Sequence, residues 1–137
     1  MARAAFLRHQ DDCSGSVKDF LAQRGYSDFG ADDLANDIMR KLPSMERYHQ
    51  ITKEEAARIA DRGGVVIAGW INPAGSGHVQ VIMAGPIRRR EGARDGETDL
   101  YPPAMSGSNR GWEGARSDRS KTVRAAYGKD QWEQVTI

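Results

Sequence analysis

The sequence is poorest in the residue that matters most to its reading. It holds one cysteine, Cys13, in 137 residues. A single thiol excludes an intramolecular disulfide. It also leaves no zinc site to be built from four cysteines, or from a pair of cysteines with a pair of histidines. No metal and no cofactor are expected. No apolar run approaches the roughly 20 residues that span a bilayer, so no membrane span is expected. Charge of one sign is also missing: 20 Lys and Arg stand against 19 Asp and Glu, for a formal charge of +1. That balance gives no global attraction for nucleic acid or anionic lipid. The opening stretch, Met1 to Gln10, is too short and too polar for a secretory signal. A protein of this kind working outside the cytoplasm would need another route.

What remains fits a single domain, residues 1–137. Apolar residues make up 39% and charged residues 28%, the balance of a globular chain. Its length is enough to bury a core without staples. Neither an internal repeat nor a linker is visible, and a monomer is expected.

Ala2 to Arg8 reads as a short helix anchored by Phe6 and Leu7. From Ser14, the residues Val17, Phe20 and Leu21 fall at i, i+3 and i+4, one face of a helix, and Gly25 suits a left-handed cap at its end. A second run, Ala31 to Leu42, predicts a helix with Leu34, Ile38 and Met39 inward, stopped by Pro43. A third opens at Thr52, where Thr-Lys-Glu-Glu has the form of a capping box closed by Glu55. Ala56, Ile59 and Ala60 carry its apolar face.

The texture then changes. Gly64 to Trp70 is a short apolar run typical of a buried strand. Asn72 to Gly77 is a turn by composition. His78 to Ala84 alternates, with His78, Gln80 and Ile82 on one face and Val79, Val81 and Met83 on the other. Together these predict an antiparallel hairpin. Leu100 to Ser108 and Trp132 to Ile137 read as further strands. Helices first and strands later indicate an α+β fold.

Cys13 falls at the start of the helix that carries Val17 and Leu21. A lone cysteine is commonly a small buried hydrophobe. At a helix N-terminus, however, unpaired N–H groups and the helix dipole favour a thiolate. Attack on an amide also creates an oxyanion, for which the Cys13 N–H is a candidate donor. Ser14 and Gly15 are small and would let a substrate approach. Asp12 or Asp11 would cap the helix, with the carboxylate turned away from the sulfur. Of the three histidines, His9 precedes this helix on an exposed face and His49 lies in a polar connection. His78 follows a Gly-Ser-Gly turn and opens a core strand, where a base can be held rigidly. Its plain reading is a strand-edge residue satisfied by the turn. A third group would orient the imidazole. Ser106, Ser108 and Asn109 are available, and Ser106 is chosen, against a reading of all three as turn chemistry.

Asp12-Cys13-Ser14-Gly15 before an apolar helix, followed by Gly77-His78-Val79 on a strand, resembles NlpC-type cell-wall peptidases of the papain-like class. The likeness is closer to the small amidase effectors of bacterial type VI secretion, above all the group cutting between D-glutamate and diaminopimelate. It extends through Val65 to Gly69, Gly77 to Ile82 and Ala84-Gly85-Pro86, and covers roughly residues 10 to 110. The resemblance implies a papain-like fold with N-terminal helices on an antiparallel sheet. It makes Cys13 the nucleophile and His78 the base of a thioester mechanism. Ser106 stands where that group has a cysteine. It further implies a peptidoglycan stem peptide as substrate, delivery by secretion machinery, action in a target cell's periplasm, and an immunity protein that plugs the cleft.

Arg88, Arg89 and Arg90 lack interleaved aromatics and have acidic neighbours, so they read as a solvated loop. On the peptidase reading, Arg88 would grip stem-peptide carboxylates. Trp112, flanked by glycines, would line the groove. Three rivals stay open: cutting of the diaminopimelate–D-alanine cross-link, a papain-like acyltransferase or deamidase acting on a protein, and a binding module with Cys13 in its core.

Overall fold

A computed structural model describes residues 2–90, 93, 95–97, 99–108, 116–127, 131–132 and 135–137. The chain is α+β. Helices α1 (Ala2–Arg8), α2 (Cys13–Gln23), α3 (Ala35–Lys41) and α4 (Lys53–Asp61) precede strands β1 (Val66–Trp70), β2 (His78–Ile82), β3 (Pro103–Ser106) and β4 (Ser117–Thr122). A 3-10 turn, Val123–Ala126, follows β4. Among the described residues the four strands form one antiparallel sheet in the order β1-β2-β3-β4. Thr136 bridges to Gly69 on the outer side of β1.

Local chemistry accounts for most boundaries. Gly25 has φ +85° and follows α2, where Gly25 and Tyr26 N–H close back on Ala22 and Leu21. At α4 the expected capping box is present: Thr52 Oγ1 accepts from Glu55 N–H at 3.2 Å, and Glu55 Oε1 accepts from Thr52 N–H at 3.2 Å. Helix α3 corrects the sequence reading of the run Ala31 to Leu42. It begins at Ala35, not Ala31, and Leu34 is 59% exposed rather than inward. Residues 30–33 are held as a turn instead. Lys18 Nζ donates to the carbonyls of Gly30, Ala31 and Asp33, and the Asp33 carboxylate accepts from Gly30 N–H at 2.8 Å. Pro43 does not end the helix abruptly, since a 3-10 turn, Leu42–Ser44, carries the chain past it.

The sheet separates two cores by strand parity. Ile67, Val79, Val81, Met83 and Met105 pack with Val17, Phe20 and Leu21 of α2 and with Ile38 and Met39 of α3. Val66, Ala68, Ile82 and Ala104 pack with Ala56 and Ala60 of α4 and with Val123, Tyr127, Val135 and Ile137. The expected alternation in β2 is therefore real, and it assigns the His78 side of the strand to the α4 face. No helix among the described residues is long and apolar enough to cross a membrane.

Candidate functional site

Asp12 is the N-cap of α2, with extended backbone (φ −145°, ψ 105°), and Cys13 is the first helical residue. The Asp12 carbonyl accepts from Ser16 N–H at 3.0 Å. The Asp12 side chain makes no capping hydrogen bond of good geometry and accepts from the Ser14 hydroxyl at 2.8 Å instead. Burial opposes ionisation of Asp12. The Gly15 amide, the Ser14 hydroxyl and the charges of Lys18 and His9 outweigh it, so the carboxyl titrates below its ordinary value.

Ser14 and Gly15 are also confined by packing. Ser14 is 2% exposed, and Gly15 is buried beneath the Asp12 carboxyl and the His9 ring, where a Cβ would overlap both. Their size lets the His9–Asp12 segment close over the helix start. His9 is half-buried rather than fully exposed, with Nε2 3.3 Å from the Asp19 carboxylate.

The sulfur sits where β2 and β3 part. Met83 N–H donates to Pro103 O at 2.8 Å, so alternate β2 residues of this parity face β3. The paired register runs through Ile82–Ala104 and ends at Val81–Met105. The next β2 amide of that parity belongs to Val79, and it favours the Cys13 thiolate. On the other side of the gap, Gly107 N–H donates to Ser16 Oγ at 3.1 Å, and Ser16 Oγ in turn donates to the Cys13 carbonyl at 2.8 Å. A Cβ on Gly107 would collide with the carbonyls of His9 and Asp12. Only glycine lets β3 end this close to the nucleophile's turn.

Burial pushes the Cys13 thiol up, and the Asp12 charge adds to it; the amides of Val79, Ser14 and Cys13 itself work against this rise without reversing it. His78 is 1% exposed, and burial pushes its imidazole down to about 4. At neutral pH the thiol is protonated and the imidazole neutral.

His78 is held from two sides. Before it, Asn36 of α3 pins the hairpin turn: its amide donates to Asn72 O at 2.9 Å and Gly75 O at 2.8 Å, and accepts from Asn72 N–H at 2.9 Å. Below it, the Tyr127 ring meets the imidazole edge-on at 5.6 Å between centroids. Tyr127 is buried, and its hydroxyl lies 3.4 Å from the His78 carbonyl and against the Gln80 amide. Burial raises the Tyr127 hydroxyl, and negative charge on Cys13 raises it further, so the sulfur and this phenol share one electrostatic neighbourhood.

Ser106 is fully buried at the end of β3, opposite Ser117. Continuing the β2–β3 register sets it across from Gln80, on the face that carries His78. Arg88 is not brought to the site. Its backbone pairs with Tyr101 beyond the far end of β2 and β3, while Arg90 forms a two-bond pair with Glu97 at 2.7 and 3.0 Å. Trp112 and Asn109 lie outside the described residues. The roles of Val79, Asn36, Ser16 and Tyr127 are absent from the sequence reading, because nothing local in their neighbours reports a contact made across the fold.

A hollow of about 420 Å³ follows the outer side of α2, lined by His9, Asp12, Gly15, Lys18 and Asp19 among others. A larger cleft, about 570 Å³, lies between α3, α4 and the outer edge of β1, and none of the candidate site residues lines it. No group of metal-ligating side chains occurs among the described residues. No protein-family model matches the chain, and no curated protein is a significant match.

Proposed function

We propose that the chain is a cysteine hydrolase of papain-like, NlpC-type architecture, with Cys13 as nucleophile and His78 as base. One observation carries the reading: Cys13 is the first residue of its helix, and the amide of Val79, the residue after His78, favours its thiolate. The neutral thiol and neutral imidazole suit general-base catalysis. His78 would take the thiol proton as sulfur attacks the carbonyl carbon, then give it to the leaving amine. Water would hydrolyse the thioester.

On this reading the substrate is a peptidoglycan stem peptide, cut at the γ-D-glutamyl–diaminopimelate bond. The protein would be an antibacterial effector carried by secretion machinery into a target periplasm and restrained by an immunity protein. These finer statements rest on the resemblance of Asp12 to Gly15 and Gly77 to Ile82. With Arg88 at the far end of the sheet, the positive charge for stem-peptide carboxylates has to come from elsewhere. Mass analysis of fragments from purified Gram-negative peptidoglycan tests the bond. Free diaminopimelyl amines support the proposal, whereas release at D-alanine moves the cut to the cross-link. Intact peptidoglycan with rapid acylation of Cys13 would favour the acyltransferase or deamidase reading.

A further inference from the structure

We propose that the Ser108 hydroxyl is an oxyanion donor, acting with the backbone N–H of Cys13 on the acyl group attacked by the sulfur. The inference rests on the cysteine-hydrolase reading but not on the identity of the substrate.

Ser108 is 1% exposed, and its Oγ is buried with no hydrogen-bond partner among the described residues. A buried hydroxyl left unmade is costly, and such groups are rare enough in folded chains to call for an explanation. The backbone around it is fully engaged. Ser108 N–H donates to Gln10 O at 2.9 Å, and Ser108 O accepts from Arg116 Nε at 3.2 Å. The same Arg116 pairs with the Asp11 carboxylate. Gly107, one residue back, is bonded to Ser16 and pressed against the Asp12 carbonyl. The 107–108 segment is thus tied to residues on both sides of Cys13, and the Ser108 hydroxyl is uncommitted.

The sheet explains what the hydroxyl faces. Continuing the register beyond Val81–Met105 sets Ser108 across from His78 and on the same face. Between them the strands part, and the Val79 amide turns to the Cys13 sulfur. An acyl group on that sulfur enters the same gap. Its oxygen would meet two donors: the Cys13 N–H in the first turn of α2, which has no partner within the helix, and the Ser108 O–H. Ser106, two residues earlier, falls across from Gln80 instead.

The test compares two reactions of the same sulfur. In acylation by p-nitrophenyl acetate the sulfur attacks the carbonyl carbon and the C=O pair moves to oxygen. Collapse of that oxyanion expels p-nitrophenolate, and the thiol proton leaves through His78 to water. Alkylation by iodoacetamide displaces iodide and passes through no oxyanion. Ser108→Ala should slow acylation by about a hundredfold, leave alkylation within about twofold of wild type, and leave thermal stability equal or raised, because an unpartnered hydroxyl has been removed. Ser108→Thr should retain most of the acylation rate. Equal losses of acylation and alkylation in Ser108→Ala, or no loss of either, would overturn the proposal. Should Ser108→Ala fold poorly, Ser108→Gly poses the same question. Wild type that acylates readily but leaves peptidoglycan intact would remove the substrate assignment while leaving the role of Ser108 decided by these rates.

Discussion

At Cys13 two influences oppose each other on one sulfur. Burial and the neighbouring Asp12 carboxylate favour the thiol, while three backbone amides favour the thiolate, and the first pair prevails. A cysteine prepared by its helix alone would stand lower. Asp12→Asn keeps a good N-cap residue and removes only the charge. Iodoacetamide should then alkylate Cys13 several-fold faster at neutral pH than in wild type, read by intact mass against time. An unchanged rate would mean that the Asp12 charge does not reach the sulfur. The residue scale is also where sequence reading is weakest. Asp12, Cys13 and His78 are legible because their neighbours mark a helix start and a strand start. That Gly15 is a buried packing residue is not legible, because the group it accommodates, the His9 ring, comes from the turn before it.

Among the elements, the hairpin that presents His78 is anchored by a distant helix, through three hydrogen bonds of Asn36 to the 72–75 segment. Asn36→Ala should cost about 1–3 kcal/mol in urea denaturation and lower turnover as well, because the strand start is released. Thr52→Ala, at the α4 cap, should cost about 0.5–2 kcal/mol and leave turnover at the wild-type level. Wild-type turnover in Asn36→Ala, despite lost stability, would show that the turn does not position the base. The contrast between α3 and α4 explains how much of the fold the sequence discloses. The start of α4 is set by Thr52 and Glu55, three residues apart, and its capping box can be read directly. The start of α3 is set by Lys18, on another helix, holding three carbonyls of the 30–33 turn. Periodicity alone therefore runs that helix too far back and turns Leu34 inward. The hairpin, the parity of its strands and the α+β order are readable because each is written in contiguous residues. The parting of β2 from β3 around Cys13 is not, since it is made by Gly107 and Ser16, far apart in the chain.

At the scale of the whole molecule, burying a neutral histidine in the sheet makes folding sensitive to acid. His78 titrates at about 4 when folded and near 6.5 in an ordinary setting. Between those values the unfolded chain binds a proton that the folded chain refuses, so stability falls as pH falls through that window. The slope approaches about 1.4 kcal/mol per pH unit. Asp19, held down to about 2 chiefly by its hydrogen bond to Arg8, continues the loss at lower pH. His78→Gln should flatten the dependence of the urea midpoint on pH between 6.5 and 4 and leave the more acid part unchanged. A profile identical to wild type would place the sensitivity in another group. The central claim is that Cys13 and His78 make this fold a hydrolase. The most direct test is the rate of new amine release from purified peptidoglycan by wild type, Cys13→Ala and His78→Ala, each confirmed folded by circular dichroism. The account predicts release by wild type and loss of it in both variants, whereas release by Cys13→Ala at the wild-type rate would contradict it.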